Sequence, residues 1–475
     1  MIKCEVQMCT FYLLYANSLD AFNPELWAQE SLAILEENMV VGNLVHRDFS
    51  PIVAKYGDTV NTRQPAEFEA KRKIVTDDVT VQDATATNVA VKLDQLVHTS
   101  FLLRDGEESM SFKDLATEYL QPAMVAQARF VDMVLLGQYP QFLANSAGRL
   151  GQLSSTTSLN YILETRKVMN INKAWETGRN LIWTPSAEMA VLQTEAFYSA
   201  EKTGDEGTAM REASLGRKLG FNHYMCQNMA SVPSDAIDTS GAGDGAINLA
   251  AGYPAGTTTM TINGFTQAIT ANSWITVAGD NTPLRVMSSV GGATPTAVTV
   301  AAPGLRRAVV HTAVVTNILP GTVNHPTAGT YAVGWSKVIG IDGFTNYPEV
   351  GQALTFGTTT TSEVYTIIAK SAAGAGDYLL DRPLVEAVAD GAAVNPWPVG
   401  DYNMAFHRNA IALVIRPLAP PRTGVGALSA AVNYNGASMR ATITYDGTKQ
   451  GHLVTLDMLM GVKVLNSDLG SVLFG

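Results

Sequence analysis

The chain has 475 residues, 46% of them hydrophobic and 16% charged, with 40 Gly, 20 Pro and three Cys; it can bury one large core plus a further module, and it is too apolar for disorder. Against 43 Asp and Glu stand only 32 Lys and Arg, a net charge of -11, which is the wrong sign for broad phosphate-backbone contact, so no sequence-specific nucleic-acid binding is expected. No apolar run reaches the roughly 18 residues of a membrane span, so no membrane is expected either. Cys4, Cys9 and Cys226 form neither a disulfide framework nor a metal knuckle, which fits a reducing compartment. The short apolar run Cys9 to Ala16 lacks a clean cleavage site, and the ordered chain is expected to start near Ala16.

Asn23-Pro24 is a helix start, and Ala28, Leu32, Leu35 and Met39 follow at helical spacing. The opposite face carries Glu25, Glu30, Glu36 and Glu37, an acidic surface. From Val60 to Lys73 the pattern is extended, and Thr87 to Val97 alternates Val89, Val91 and Leu93 with Ala90, Lys92 and Asp94, the period of a half-buried strand. Asp77 and Asp78 supply turn chemistry between them. The spacing predicts a two-stranded arm whose first strand carries Arg63, Glu67, Glu69, Lys71, Arg72 and Lys73. Such a ribbon has too little apolar surface to stand alone and needs a partner surface, such as another subunit.

Ser111 and Asp114 cap a long helix with Leu115, Tyr119, Ala123, Ala126, Phe130 and Met133 on one stripe, and Pro122 should kink it. Further elements are predicted as a helix from Ser158 to Val168, a strand from Asn180 to Trp183, and a helix from Thr184-Pro185 to about Ala200. After Met229 the composition changes. Val232 to Gly400 holds 6 basic and 11 acidic residues among abundant Gly, Thr, Ala and Val, which reads as an all-β insertion. Ile262-Asn263-Gly264-Phe265-Thr266 returns as Ile341-Asp342-Gly343-Phe344-Thr345, so two related β-modules in tandem are predicted. Ile275 to Val277 then aligns with Ala353 to Phe356, and Val309 with Val388. Strands at Ala410 to Ile415, Arg440 to Tyr445 and Gly461 to Leu465 complete the N-terminal core after the excursion.

Motifs for chemistry are weak. Gly241 to Gly245 follows no strand and reads as a linker; His46-Arg47-Asp48 copies a kinase tripeptide without its companions. Seven His residues never reach metal-ligand spacing, and Asp235, Asp238 and Asp244 lack a calcium-loop rhythm. Cys226 near His223 reads as a buried thiol, with a nucleophile as the minority reading. No catalytic residue, cofactor or metal is expected, and the chain is not read as an enzyme.

The run from Ala84 through Leu136 (ATATNVAVKLDQLVHTSFLLRDGEESMSFKDLATEYLQPAMVAQARFVDMVLL) resembles the arm-to-spine passage of tailed-phage major capsid proteins of the P22 coat type, which share the HK97 fold. Asn17 to Ser50, Gly216 to Phe221, and Phe406 to Leu418 resemble that family's N-arm, the strand before its insertion and the strand after it. The resemblance implies an α+β HK97-type fold: N-arm 1-58, E-loop 59-98, spine helix and P-domain 99-180, first part of the A-domain 181-231, an inserted all-β domain 232-401 with modules at about 245-325 and 326-400, and the A-domain return with P-domain strands 402-475. It implies a shell subunit that forms hexamers and pentamers of an icosahedral head around double-stranded DNA. Scaffolding and portal proteins are the implied partners, with assembly in the host cytoplasm and residence in the virion. Under that resemblance the charged arm residues are inter-subunit contacts, and Glu30, Glu36 and Glu37 are a dock for a basic scaffold segment. The P22-type insertion is a single barrel, and this one reads as doubled. The alternative is a β-rich fibre or adhesin-type binding protein.

Overall fold

The computed structural model describes residues 24–49, 54–64, 70, 72, 87–104, 116–199, 213–229, 231–232, 244–334, 338–344, 346–357, 363–372, 374–421, 427–434 and 436–475. The start near Ala16, the turn at Asp77 and Asp78, the cap at Ser111 and Asp114, and the linker residues Asp235, Asp238 and 241–243 lie outside these.

The early helix is α1 (Pro24–Asn38), with Trp27, Ala28, Leu32 and Leu35 buried. Next come β1 (Thr59–Gln64) and β2 (Thr87–Lys92), an antiparallel pair in the register Thr59↔Lys92 to Gln64↔Thr87. β3 (Gln95–Arg104) follows directly. Within the long helix, Ala116–Leu120 is a π-helical turn and α2 (Gln121–Leu136) continues it, Leu120 keeping helical angles of φ -73° and ψ -45°. Pro122 therefore falls in the first turn of the α-helical part. There its missing N–H costs little, and the wider turn before it absorbs the ring's clash. After β4 (Ala147–Gly148) come α3 (Ser158–Ile171), β5 (Arg179–Trp183), α4 (Pro185–Leu192) and α5 (Glu195–Tyr198). Thr184 caps α4, its hydroxyl accepting the Ala187 N–H at 3.2 Å. β6 (Arg217–Lys218) and β7 (Phe221–Met225) form a hairpin. Leu219 (φ 53°) and Gly220 (φ 89°) form its two-residue turn, the left-handed pair that matches strand twist.

The insertion opens after β8 (Ser231–Val232) and closes at β23 (Gly400–His407), and these two strands pair at Gly400↔Val232. Its two ends thus lie side by side. The first half comprises β9 (Asp244–Ile247), β10 (Thr259–Asn263), β11 (Trp274–Val277), β12 (Leu284–Val290), β13 (Ala297–Val300) and β14 (Val314–Asn317). The second comprises β15 (Gly321–Val323), β16 (Thr330–Tyr331), β17 (Val338–Asp342), β18 (Ala353–Phe356), β19 (Tyr365–Lys370), β20 (Gly376–Leu380), β21 (Val388–Ala389) and β22 (Ala393–Pro396). Each half closes into a six-stranded barrel, in the orders β10-β13-β12-β11-β14-β9 and β15-β17-β20-β19-β18-β22. Substituting β9 by β15, β10 by β17, β11 by β18, β12 by β19, β13 by β20 and β14 by β22 turns one cycle into the other.

Side-chain detail repeats as well. Gly245 on β9 lies under the Phe265 ring, and Gly321 on β15 under the Phe344 ring, so close that a Cβ at either glycine would sit 2.2 Å or 2.0 Å from the ring. This is the packing reason for the repeated Gly-Phe pair. The Tyr253 hydroxyl accepts the Thr261 N–H at 2.8 Å, and the Tyr331 hydroxyl accepts the Gly340 N–H at 2.9 Å.

The remaining strands are β24 (Ile411–Arg416), β25 (Ala427–Tyr434), β26 (Ala437–Asp446), β27 (Gly451–Val464) and β28 (Gly470–Phe474). One seven-stranded sheet runs β4-β28-β23-β5-β7-β6 with β8 on β23. A five-stranded sheet runs β24-β27-β26-β25 with β3 on β27. The strand expected at Gly461 to Leu465 is the end of the longer β27, whose N-terminal half pairs with both β3 and β26 and so satisfies its ladder on two sides. The main core joins α1, α2 and both sheets, and it includes Trp274, Ala353, Ile368 and Trp397 of the insertion.

Candidate assembly surfaces

Among the described residues the ribbon β1–β2 pairs with no other strand. Its base is seated: Val60, Val91 and Leu93 pack with Ala412, Val414 and Leu459. Arg63 stands opposite Asn88 in this ribbon, and Arg72 is exposed. Glu67, Glu69, Lys71 and Lys73 lie outside the described residues.

The acidic residues of α1 divide. Glu30 and Glu37 are exposed and, seven residues apart, share one face. Glu36 turns inward to Arg47, at 3.4 Å, with its side chain 19% exposed. It ties the loop after α1 to the helix, so the exposed carboxylates of α1 are Glu25, Glu30 and Glu37, the last two on one face.

That loop is fixed by a residue the sequence reading passed over. The Asp132 carboxylate of α2 accepts the N–H groups of Val40, Val41 and Gly42 at 3.0, 3.1 and 3.1 Å. Burial pushes its carboxyl up to about 6, and the three N–H bonds oppose the rise. A lone Asp inside the apolar run Phe130 to Leu136 was the available signal.

Both barrels are seated on the helix–sheet core. From the first, the Arg306 guanidinium donates to the carbonyls of Leu143 (3.1 Å) and Ala144 (2.7 Å), and Arg307 pairs with Glu164 at 2.8 Å. From the second, the buried Asp381 carboxylate accepts the Thr366 N–H at 2.9 Å and the Gln138 amide at 3.1 Å. The Gln95 amide donates to the Asp381 carbonyl at 2.7 Å. Burial raises this carboxyl to about 6. An aromatic cluster sits at the junction: Trp397 lies 4.8 Å from Trp274, 5.6 Å from Tyr139 and 5.6 Å from Tyr402, centroid to centroid. The Trp274 indole N–H donates to Thr355 Oγ1 at 3.2 Å, joining one barrel to the other. A cleft of about 360 Å³ remains between the ribbon base and the second barrel, bordered by Lys92, Val333, Asp381, Val385 and Lys463.

The chemical motifs settle into structural roles. His223 Nδ1 accepts the Trp183 indole N–H at 3.0 Å, and burial lowers the imidazole to about 4. Burial pushes the Cys226 thiol up to about 11, which removes the thiolate a nucleophile needs at neutral pH. In the His46-Arg47-Asp48 tripeptide, Arg47 is buried against Glu36, and Asp48 pairs with Arg408 at 3.3 Å. Asp244 opens β9. Among the described residues no group of three His, Cys, Asp or Glu could hold a metal ion, and no helix is long and apolar enough to cross a membrane.

No protein-family description matches the chain, and no curated protein matches it. Among solved structures it is similar to the capsid of the cyanophage P-SCSP1u, with a TM-score of 0.43 and 9% identity over 92% of this chain and 88% of that one. It is also similar to a structure from Mycobacterium phage Che8, with a TM-score of 0.39 and 11% identity over 92% and 90%. A third is the mature capsid of bacteriophage PhiM1, with a TM-score of 0.37 and 8% identity over 88% and 81%. Two of these three are phage capsids.

Proposed function

We propose that this chain is the major capsid protein of a tailed phage, a P22-like subunit of the HK97 type that self-assembles into hexamers and pentamers of an icosahedral head enclosing double-stranded DNA. The observation that carries the reading is the β1–β2 ribbon. It is anchored at its base by Val60, Val91 and Leu93 and pairs with no other strand among the described residues, which is the form of an arm built to lie on a neighbour. The order of parts supports it further: acidic helix, ribbon, long helix opened by a π-turn, two sheets, and an insertion whose ends meet at β8 and β23.

Arg63, Glu67, Glu69, Lys71, Arg72 and Lys73 are the proposed contacts to the adjoining subunit. Glu30 and Glu37 are the proposed dock for a basic scaffold segment. A portal protein would occupy one vertex, and the virion is the proposed location. A fibre or adhesin would carry its β-modules on a free end, whereas both barrels here are bonded to the core through Arg306, Asp381 and the Trp274–Trp397 cluster.

Deleting Thr62 to Ala86 tests the reading. The seated residues Val60 and Val91 remain, so the soluble subunit should melt as the full chain does, yet electron microscopy with the scaffold should show no closed shells. Normal particles from that deletion would refute the arm assignment.

A further inference from the structure

The two repeat corners differ at one position: Asn263 precedes Gly264 in the first barrel, and Asp342 precedes Gly343 in the second. Asp342 is held, its carboxylate accepting the Thr322 hydroxyl. Thr322 stands opposite Asp342 in the ladder, whereas the residue opposite Asn263 is Ala246, which has no hydroxyl to offer. Asn263 is exposed, and among the described residues its side-chain amide has no hydrogen-bond partner. Gly264 lies just past the end of β10 at φ 84°, and its N–H donates to no acceptor among the described residues. A Cβ built on it would meet only the Gly245 Cα, at 3.6 Å, so neither a side chain of its own nor a close neighbour screens the nitrogen.

An unrestrained side-chain amide and the bare main-chain nitrogen that follows it are the two halves of one reaction. The chain itself holds them close, which replaces a bimolecular encounter by an intramolecular one, and asparagine is among the thermolabile residues. We propose that Asn263–Gly264 is a self-modification site of the first barrel. The Gly264 nitrogen gives up its proton to hydroxide and attacks the Asn263 side-chain carbonyl carbon. The new C–N bond closes a five-membered succinimide, and the amide nitrogen leaves as ammonia. Water then opens the ring at one carbonyl or the other, which leaves aspartate, or isoaspartate with the main chain routed through the side-chain carbon. The reaction consumes water, releases ammonia and adds one negative charge to the subunit. The aspartate product reproduces the second corner, where the fold already carries a carboxylate at this place. The isoaspartate product lengthens the main chain by one carbon at the last ladder pair of β10, Asn263↔Ala246. It does so beside the Gly245–Phe265 contact. The inference is independent of the shell reading.

The test incubates the full chain at mildly alkaline pH, native and in parallel unfolded in guanidinium chloride, and follows the peptide that spans Asn263 by mass spectrometry. In the native chain that peptide should exchange amide for acid at a rate within tenfold of the unfolded chain, and the rate should rise about tenfold for each unit of pH, as hydroxide catalysis requires. Asn170, exposed and followed by Ile171, should react at least tenfold more slowly than Asn263 in the same native sample. Asn263→Gln should lower the exchange in the Asn263 peptide at least tenfold. Protection of more than tenfold by folding overturns the proposal, because the corner would then hold the two groups apart. Equal reaction at Asn170 and Asn263 also overturns it, and so does undiminished exchange in Asn263→Gln, which would place the reaction at another residue of the peptide.

Discussion

The two Gly-Phe pairs of the barrels make a graded prediction. At Gly245 an added Cβ would lie 2.2 Å from the Phe265 ring and 2.5 Å from the Asn263 carbonyl oxygen. Phe265 is 4% exposed and the carbonyl belongs to the backbone, so neither can yield cheaply. Gly245→Ala should cost about 2–3 kcal/mol, the upper part of the range for overpacking. At Gly321 the three nearest atoms, at 2.0, 2.3 and 2.5 Å, all belong to the outer ring of Phe344, which is only partly buried and can swing aside. Gly321→Ala should cost about 1 kcal/mol or less. Removing each ring separates the cases. In a Phe344→Ala background Gly321→Ala should become neutral, whereas in a Phe265→Ala background Gly245→Ala should keep about half its cost, because the Asn263 contact remains. Phe265→Ala alone should cost about 3–5 kcal/mol. Urea unfolding of the full chain followed by tryptophan emission reads all of these, since Trp274 lies in the first barrel and Trp397 adjoins the second. Equal costs at the two glycines, or strict additivity of Gly321→Ala with Phe344→Ala, would refute this account of the repeat.

Trp397 is fully buried in the aromatic cluster, and its indole N–H has no acceptor among the described residues. Trp397→Ala should cost about 3–5 kcal/mol and abolish near-ultraviolet dichroism from the cluster, whereas Trp397→Phe should cost less because the unpaired donor is removed with the lost volume. The carboxyls of Asp132 and Asp381 are raised to about 6 from the 3.8 of a free aspartate. The folded chain therefore holds protons that the unfolded chain has lost, and the contribution of these two groups to stability should be full below about pH 4, fall through pH 4 to 6 and level above it. For the fully buried Asp381 this amounts to about 3 kcal/mol, and Asp381→Asn should flatten that part of the stability–pH curve; an unchanged slope would contradict the burial argument. Reversing the exposed pair with Glu30→Lys and Glu37→Lys should leave subunit melting within about 0.5 kcal/mol and weaken capture by a basic scaffold peptide at low salt, while Glu36→Lys should instead destabilise the fold by stranding Arg47. Equal effects of all three changes on peptide capture would remove the dock.

Much of the architecture is legible because its signals are local. Alternating valines at 89 and 91 mark the ribbon base, Asn23-Pro24 and Thr184-Pro185 open helices, and the loss of charge after Met229 marks the insertion. The Asn-Gly or Asp-Gly corner followed by Phe declares the repeat, since a ring that must cover a bare glycine leaves a fixed trace in both copies. The residues of the proposed assembly surfaces are less legible. Glu30, Glu36 and Glu37 are alike in sequence, yet only packing against Arg47 removes Glu36 from the open face. Asp132 reads as a blemish on an apolar stripe until the loop at Val40 to Gly42 aims its N–H groups at it.

Chain chemistry alone determined the order of helices and strands, the acidic character, and the duplication, because turn residues, side-chain period and repeated motifs act over a few neighbours. Tertiary structure decided the rest. It closed each repeat into a barrel and seated both on the segment that follows α2, through Arg306, Asp381 and Trp397, and it left β25 at the edge of its sheet. Barrel closure joins strands about 70 positions apart, such as Asp244 with Thr316 and Gly321 with Val394, and the seating joins residues more than 150 apart, such as Gln95 with Asp381 and Gln138 with Asp381. No local pattern encodes such pairs, because each partner's own neighbours would be satisfied equally well without the other.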